Sequence, residues 1–168
     1  HKLSGDLALL EATQFFRAGK APEAKAQVQK AIQEYRTALT AKPGDYVITL
    51  ALGRTLALDG ESGEAEGMFK GLVAKDKTNL NGYVELYRIY VSQKKLPEAE
   101  AILKSAIAAV PKDTSMRLML AQFYYGTHRQ DELVKLLNDM KKDLKAFPQA
   151  YFQTGAFYIR VNQLDQAL

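Results

Sequence analysis

Few side chains in this sequence have the types and spacing that catalysis or metal binding requires. The 168 residues include no cysteine and two histidines, which excludes disulfides, thiolate zinc sites, iron–sulfur clusters and a cysteine nucleophile. The acidic run at residues 59–64 lacks the spacing of an EF-hand calcium loop. His128 falls in a turn column derived below, which favours a structural role. We therefore expect no catalytic residue, no metal and no cofactor.

Charge is balanced along the chain, with 23 Lys and Arg against 19 Asp and Glu. Residues 1–78 carry 11 basic and 10 acidic side chains, and residues 79–168 carry 12 and 9. A nucleic-acid-binding protein usually concentrates its basic charge on one stripe, so no nucleic-acid partner is expected. No apolar run approaches the ~20 residues needed to span a membrane. The compartment stays open between cytoplasm and periplasm.

Similar residues recur with a fixed period when Tyr46 is counted as position 1, and the later repeats then start at Leu80, Thr114 and Pro148. Position 8 is Gly53, Tyr87, Ala121 and Gly155, position 11 is Leu56, Tyr90, Tyr124 and Tyr158, and position 20 is Ala65, Ala99, Leu133 and Ala167. The preceding segment fits with Gly5 as position 1, but it has 7 extra residues after Ala31. Since seven residues are nearly two helical turns, the insertion predicts a lengthened helix, from about Pro22 to Ala41, with its apolar face still in register.

Each repeat is predicted to contain two helices, over positions 1–14 and roughly 18–31. Position 15 is Gly19, Gly60, Lys94, His128 and Asn162. Gly and Asn tolerate the left-handed backbone that follows a helix C-terminus, whereas Pro and acidic residues near position 18 favour the start of the next helix. Apolar residues recur at helical spacing in both segments, without strand-like alternation. The fold class is therefore all-α.

These columns resemble the tetratricopeptide repeat of bacterial-type proteins, a pattern of about 34 residues with Leu-Gly, Tyr, Ala, Phe and Pro at fixed offsets. The resemblance is carried by Leu52, Gly53, Ala65 and Phe69, by Tyr83, Leu86, Tyr90, Ala99 and Pro111, by Leu120, Ala121 and Tyr124, and by Tyr151, Gly155 and Tyr158. It implies a right-handed α-solenoid of antiparallel helix pairs forming one array over residues 1–168. Its repeats are 5–45, 46–79, 80–113, 114–147 and a partial fifth, 148–168. We expect the native chain to continue, because Phe152, Phe157 and Ile159 would otherwise lack a partner.

In this family the first helices line a concave groove, and the matching columns give the expected partner-binding residues. They are Phe16, Arg17, Leu50, Arg54, Asn81, Val84, Arg88, Leu118, Gln122, Tyr125, Phe152 and Arg160. Arg54 and Arg88 occupy the same column in successive repeats. Such a lining suits a protein segment with apolar anchors and one or two carboxylates. Alternatively, the arginines lie over their neighbours or pair with acidic residues of the next helix.

The resemblance predicts a non-catalytic protein–protein interaction scaffold that binds a peptide or protein segment in this groove. Two alternatives remain. One is an assembly or secretion scaffold of the pilus or exopolysaccharide type, working through its ends and convex face, and the other is the regulatory arm of a larger enzyme. The uncapped C-terminal end also favours a homodimer.

Overall fold

The computed structural model describes residues 1–162, and the second helix expected in the partial fifth repeat falls outside them. The described residues form nine α-helices and no strand. The first compact unit, His1–Lys95, contains α1 (Lys2–Arg17), α2 (Ala21–Ala41), α3 (Tyr46–Asp59), α4 (Ser62–Lys75) and α5 (Leu80–Ser92). The second unit contains α6 (Leu96–Ala109), α7 (Thr114–Gly126), α8 (Gln130–Lys142) and α9 (Ala150–Arg160). Within each unit every helix packs on the next, and α3 also contacts α5.

Every predicted turn residue has a left-handed backbone, as the sequence columns indicated. The φ angles are 71° at Gly19, 96° at Gly60 and 59° at each of Lys94, His128 and Asn162. In the first four turns the amide of the following residue donates to the carbonyl at position 11, for example Lys95 to Tyr90 at 2.8 Å and Arg129 to Tyr124 at 2.8 Å. This bond closes the last turn of the first helix, and the second helix then runs antiparallel to the first. His128 is thus a turn residue.

The N-termini of three first helices are capped by side chains that recur with the same period as the turns. Asp45 accepts from the amide of Ile48 and Asp113 from that of Met116, both at 3.0 Å, while Asn79 accepts from Asn81 at 3.2 Å. The next member of this column is Phe147, which is buried and lies 4.5 Å below the guanidinium of Arg117. Because Phe147 cannot cap, α9 begins at Ala150, two residues after the expected start at Pro148.

Small residues let neighbouring helices approach closely in the first unit. A Cβ added at Gly53 on α3 would lie 2.6 Å from Cε1 of Phe69 on α4, whose ring is fully buried. At Gly5 on α1 an added Cβ would lie 2.7 Å from the ring of Tyr35, within the seven extra residues of α2. Tyr35 also donates to Asp6 at 2.7 Å. The extended part of α2 therefore packs in register with the rest of that helix.

A hydrogen-bond network around a partly buried glutamate occurs twice, at equivalent positions one repeat apart. In the first unit, Tyr90 donates to Glu66, which also pairs with Lys70. In the second unit, Tyr124 donates to Glu100, which pairs with Lys104 and Arg129. Each network joins a second helix to the first helix of the following repeat.

The ion pairs of the second network control the protonation of Glu100. Burial acts to raise the pKa of Glu100, but hydrogen bonds from Arg129, Lys104 and Tyr124 outweigh it and lower the pKa to about 2. In the first network the pKa of Glu66 is also lowered, mainly by its hydrogen bond from Lys70. The carboxylates therefore stay ionised in acid that would protonate an exposed Glu.

The expectation that Phe157 lacks a partner is wrong, whereas Phe152 and Ile159 are exposed. Phe157 is 1% exposed, while Phe152 and Ile159 are 76% and 60% exposed. At about 100° per residue, Phe157 lies on roughly the opposite side of α9 from the other two. Its ring packs against Tyr158 at a centroid distance of 5.8 Å.

Replacing Gly53 with Ala should destabilise the first unit by about 1–3 kcal/mol, because the new methyl group overpacks against Phe69. Gly67 on α4 is the matched control, since nothing lies within 4 Å of its added Cβ. Gly67→Ala should raise stability by up to about 1 kcal/mol. Urea unfolding followed by circular dichroism measures both changes. Phe69→Leu should recover part of the loss in the double variant, and a Gly53→Ala variant as stable as the parent would contradict the packing.

Replacing Glu100 with Gln should remove part of the pH dependence of stability. Because the folded pKa of about 2 lies below the ordinary value of 4.5, ionised Glu100 stabilises the fold above about pH 4.5, and this contribution disappears as the pH falls through 2. We expect Glu100→Gln to lose about 2 kcal/mol of unfolding free energy at pH 7, a value reduced for solvent screening, and little at pH 2. Glu98→Gln, at an exposed position on the same helix, is the control. An equal loss by Glu100→Gln at both pH values would contradict this role.

Candidate functional site

The expected groove residues of the first unit include a continuous surface on α3 and α5. We call this surface the α3–α5 face, formed by Leu50, Arg54, Asn81, Val84 and Arg88. Arg54, Asn81 and Arg88 are exposed, and the two apolar side chains are half-buried. Spacings of three and four residues place the members of each helix on one side. The two helices contact each other.

Arg54 and Arg88 meet at one carboxylate oxygen. Glu85 lies on α5 one turn before Arg88, and its side chain is 7% exposed. Its Oε1 accepts from Arg54 at 2.7 Å through Nη2 and 2.8 Å through Nε, and from Arg88 Nη1 at 2.9 Å. Arg54 thus pairs with an acidic residue of the following first helix, whereas Arg88 pairs with the same residue on its own helix. The sequence analysis did not predict Glu85 as a member of this site.

This cluster has two positive charges and one negative charge. The Arg54 and Arg88 side chains are 48% and 64% exposed, so much of each guanidinium faces solvent. Since each guanidinium has five N–H donors and Glu85 engages three in total, donors remain for a second carboxylate. The shared Oε1 holds the two guanidinium groups close together, which favours binding of one anionic group by both.

Apolar side chains border the arginines on the same side of α3. Val47 and Leu58 are 53% and 59% exposed, and Leu50 lies one turn before Arg54. At the other end of the face, Asn81 donates to the hydroxyl of Tyr46 at 2.7 Å, and that hydroxyl donates to Asn79 at 3.0 Å. These bonds fix the start of α5 against the start of α3.

The remaining groove candidates belong to other helices. Phe16, 50% exposed, and the exposed Arg17 end α1. In the second unit, Leu118 is half-buried and Gln122 is exposed on α7, while Tyr125 donates its hydroxyl to the carbonyl of Val161 at 3.1 Å. Phe152 and Arg160 lie on α9, both exposed, with the Arg160 guanidinium 5.5 Å from the ring centroid of Phe157. Of the twelve candidates, Arg54 and Arg88 are the two that the structure joins through the side chain of a third residue, Glu85.

Within residues 1–162, no group of three or more His, Asp or Glu side chains is arranged to hold a metal ion. No helix in the same part of the chain is long and apolar enough to cross a membrane.

Paired helices whose turns, caps and buried residues recur from one repeat to the next define an all-α helical repeat protein. Residues 56–123 match the model of the tetratricopeptide repeat family. A fold of this class is a scaffold for protein–protein interaction.

Solved structures show the same fold at low sequence identity. TTC0263, a thermophilic tetratricopeptide-repeat protein of Thermus thermophilus, is 23% identical over 97% of this chain and 86% of that chain, with a TM-score of 0.53. MamA is 24% identical over 89% of this chain and 87% of that chain, with a TM-score of 0.53. A MamA fragment from Desulfovibrio magneticus RS-1 is 17% identical over 98% and 89%, with a TM-score of 0.51. No curated protein matches this sequence at a significant level.

Proposed function

We propose that this chain is a non-catalytic scaffold whose α3–α5 face binds an acidic, partly apolar segment of a partner protein. The observation that carries the proposal is the sharing of one buried carboxylate, Glu85, by two half-exposed arginines. The shared carboxylate leaves a net positive charge and free guanidinium donors at one place on the surface. A carboxylate of the partner protein would neutralise this charge and accept hydrogen bonds from the free donors.

The apolar neighbours of Arg54 specify the rest of the ligand. Leu50 and Leu58 lie one turn to either side of Arg54 on α3, and Leu58 is 59% exposed. A segment with one acidic residue between two apolar anchors matches this order of side chains. For a surface this small we expect micromolar affinity, about −8 kcal/mol.

A second candidate function is an assembly scaffold that works through its terminal helices. The observation that favours it is the exposed apolar side of α1, where Leu3 is 81% exposed and Leu7 and Leu10 are each 56% exposed. This role and binding at the α3–α5 face use different surfaces.

Selection from a random 12-residue peptide library tests the proposed binding. Peptides enriched on the parent protein should contain Asp or Glu beside apolar residues. Arg88→Gln, which leaves the Arg54–Glu85 pair in place, should weaken the best peptide by about 10-fold, since one charge-assisted hydrogen bond is lost. Lys30→Gln removes the same charge from an exposed position on α2 and should change affinity by less than about 2-fold.

Glu85→Gln provides the opposite test, because Glu85 competes with the peptide carboxylate for the two guanidinium groups. This variant should bind the same peptide about 3-fold or more tightly, provided that circular dichroism shows it folded. Isothermal titration calorimetry gives the dissociation constants. Enrichment of basic peptides, or equal losses from Arg88→Gln and Lys30→Gln, would contradict the proposal.

A further inference from the structure

The charge of the α3–α5 face comes from three side chains. The charged residues of the two helices are Arg54 and Asp59 on α3 and Glu85 and Arg88 on α5. Asp59 ends α3 and lines a different cavity, together with residues of α2 and α4. The remaining three meet at the oxygen Oε1 of Glu85, and their charges sum to one positive charge.

Glu85 is held in place more firmly than the two arginines that it joins. Its side chain is 7% exposed, and its Oε1 accepts three hydrogen bonds of 2.7, 2.8 and 2.9 Å. The Arg54 and Arg88 side chains keep about half or more of their surface in contact with solvent. An anion bound by the two guanidinium groups would therefore have a fixed negative charge directly behind them.

The effect of this fixed charge depends on how many charges the bound anion carries. The Coulomb energy between two groups is proportional to the product of their charges, and the cost of removing an ion from water rises steeply with its charge. A carboxylate carries one negative charge, whereas a phosphoserine side chain carries about 1.5 to 2 at pH 7. A carboxylate would neutralise the face, and a phosphate dianion would leave an excess negative charge beside Glu85.

We propose that Glu85 determines the specificity of the α3–α5 face and restricts its anionic ligand to a singly charged group, so that an acidic segment is favoured over a phosphorylated one. This inference rests on the proposed function, in which Arg54 and Arg88 bind a carboxylate of a partner segment. Without the charge of Glu85 the face would have two positive charges, which match a phosphate dianion.

Three synthetic peptides are the probes for this specificity. They are capped, share one sequence of Gly and Ser with two leucines, and differ at a single position between the leucines. That position is glutamate, phosphoserine or the methyl ester of phosphoserine. The methyl ester keeps the tetrahedral phosphorus but carries one negative charge, so it separates the effect of charge from that of shape. Isothermal titration calorimetry with the full chain at pH 7 gives the dissociation constants.

The parent protein should bind the glutamate and methyl ester peptides within about 3-fold of each other, and the phosphoserine peptide at least about 3-fold more weakly than either. Glu85→Gln should tighten the two singly charged peptides by about 3-fold. The phosphoserine peptide should gain about 10-fold, because the repulsion that is removed acts on twice the charge. Glu85→Asp is the control, since it keeps the negative charge and should keep the parent's order of affinities.

Two results would overturn the proposal. One is a parent protein that binds the phosphoserine peptide more tightly than the glutamate peptide. The other is a Glu85→Gln variant that changes all three affinities by the same factor, as a purely structural role of Glu85 would. If circular dichroism shows that Glu85→Gln is unfolded, the phosphoserine peptide and its methyl ester are compared on the parent protein, and equal affinities reject the proposal.

The Arg88→Gln variant distinguishes a failure of this inference from a failure of the proposed function. If the glutamate peptide binds the parent and is weakened by Arg88→Gln, the proposed function stands whatever the phosphoserine peptide does. If the glutamate peptide does not bind, or binds Arg88→Gln as well as the parent, the proposed function and the specificity of Glu85 are rejected together.

Discussion

The fold depends on one constraint, the reversal of the chain within a few residues after each first helix. A left-handed residue makes this reversal at Gly60, and Lys94 and His128 adopt the same conformation without the freedom of glycine. A non-glycine residue in this region costs on the order of 1 kcal/mol, and the bond from the next amide to the position-11 carbonyl offsets it. Because the reversal is the same each time, equivalent residues meet equivalent neighbours in successive repeats.

Residues at the same repeat position therefore have similar surroundings, and a residue of a different type at such a position marks a local difference in structure. Position 6 is Ala51 in one repeat, Glu85 in the next and Met119 in the third. At Glu85 the position places a carboxylate beside Arg54 of the previous first helix, 2.7 Å away. The α3–α5 face therefore arises where one repeat differs from the others.

Periodicity made the helices and the turns predictable, since these follow from residue type at a fixed position. The later start of α9 also has a cause in the sequence, because Phe147 stands at the position where the earlier repeats have a capping Asp or Asn. Glu85 could not be found this way. Its position holds no constant residue type, and its partner Arg54 lies 31 residues away on another helix. Its burial depends on packing that the residue pattern does not specify.

The central functional claim is that Arg54 and Arg88, held on Glu85, act together on one carboxylate of a partner. The most direct measurement follows the guanidinium Nε–Hε signals of both arginines by NMR while an acidic, apolar peptide is added. The account predicts that the two signals shift along one saturation curve, while the signal of Arg36, paired with Glu64 on other helices, stays in place. A bound peptide that shifts Arg36 and leaves Arg54 and Arg88 unchanged would contradict it.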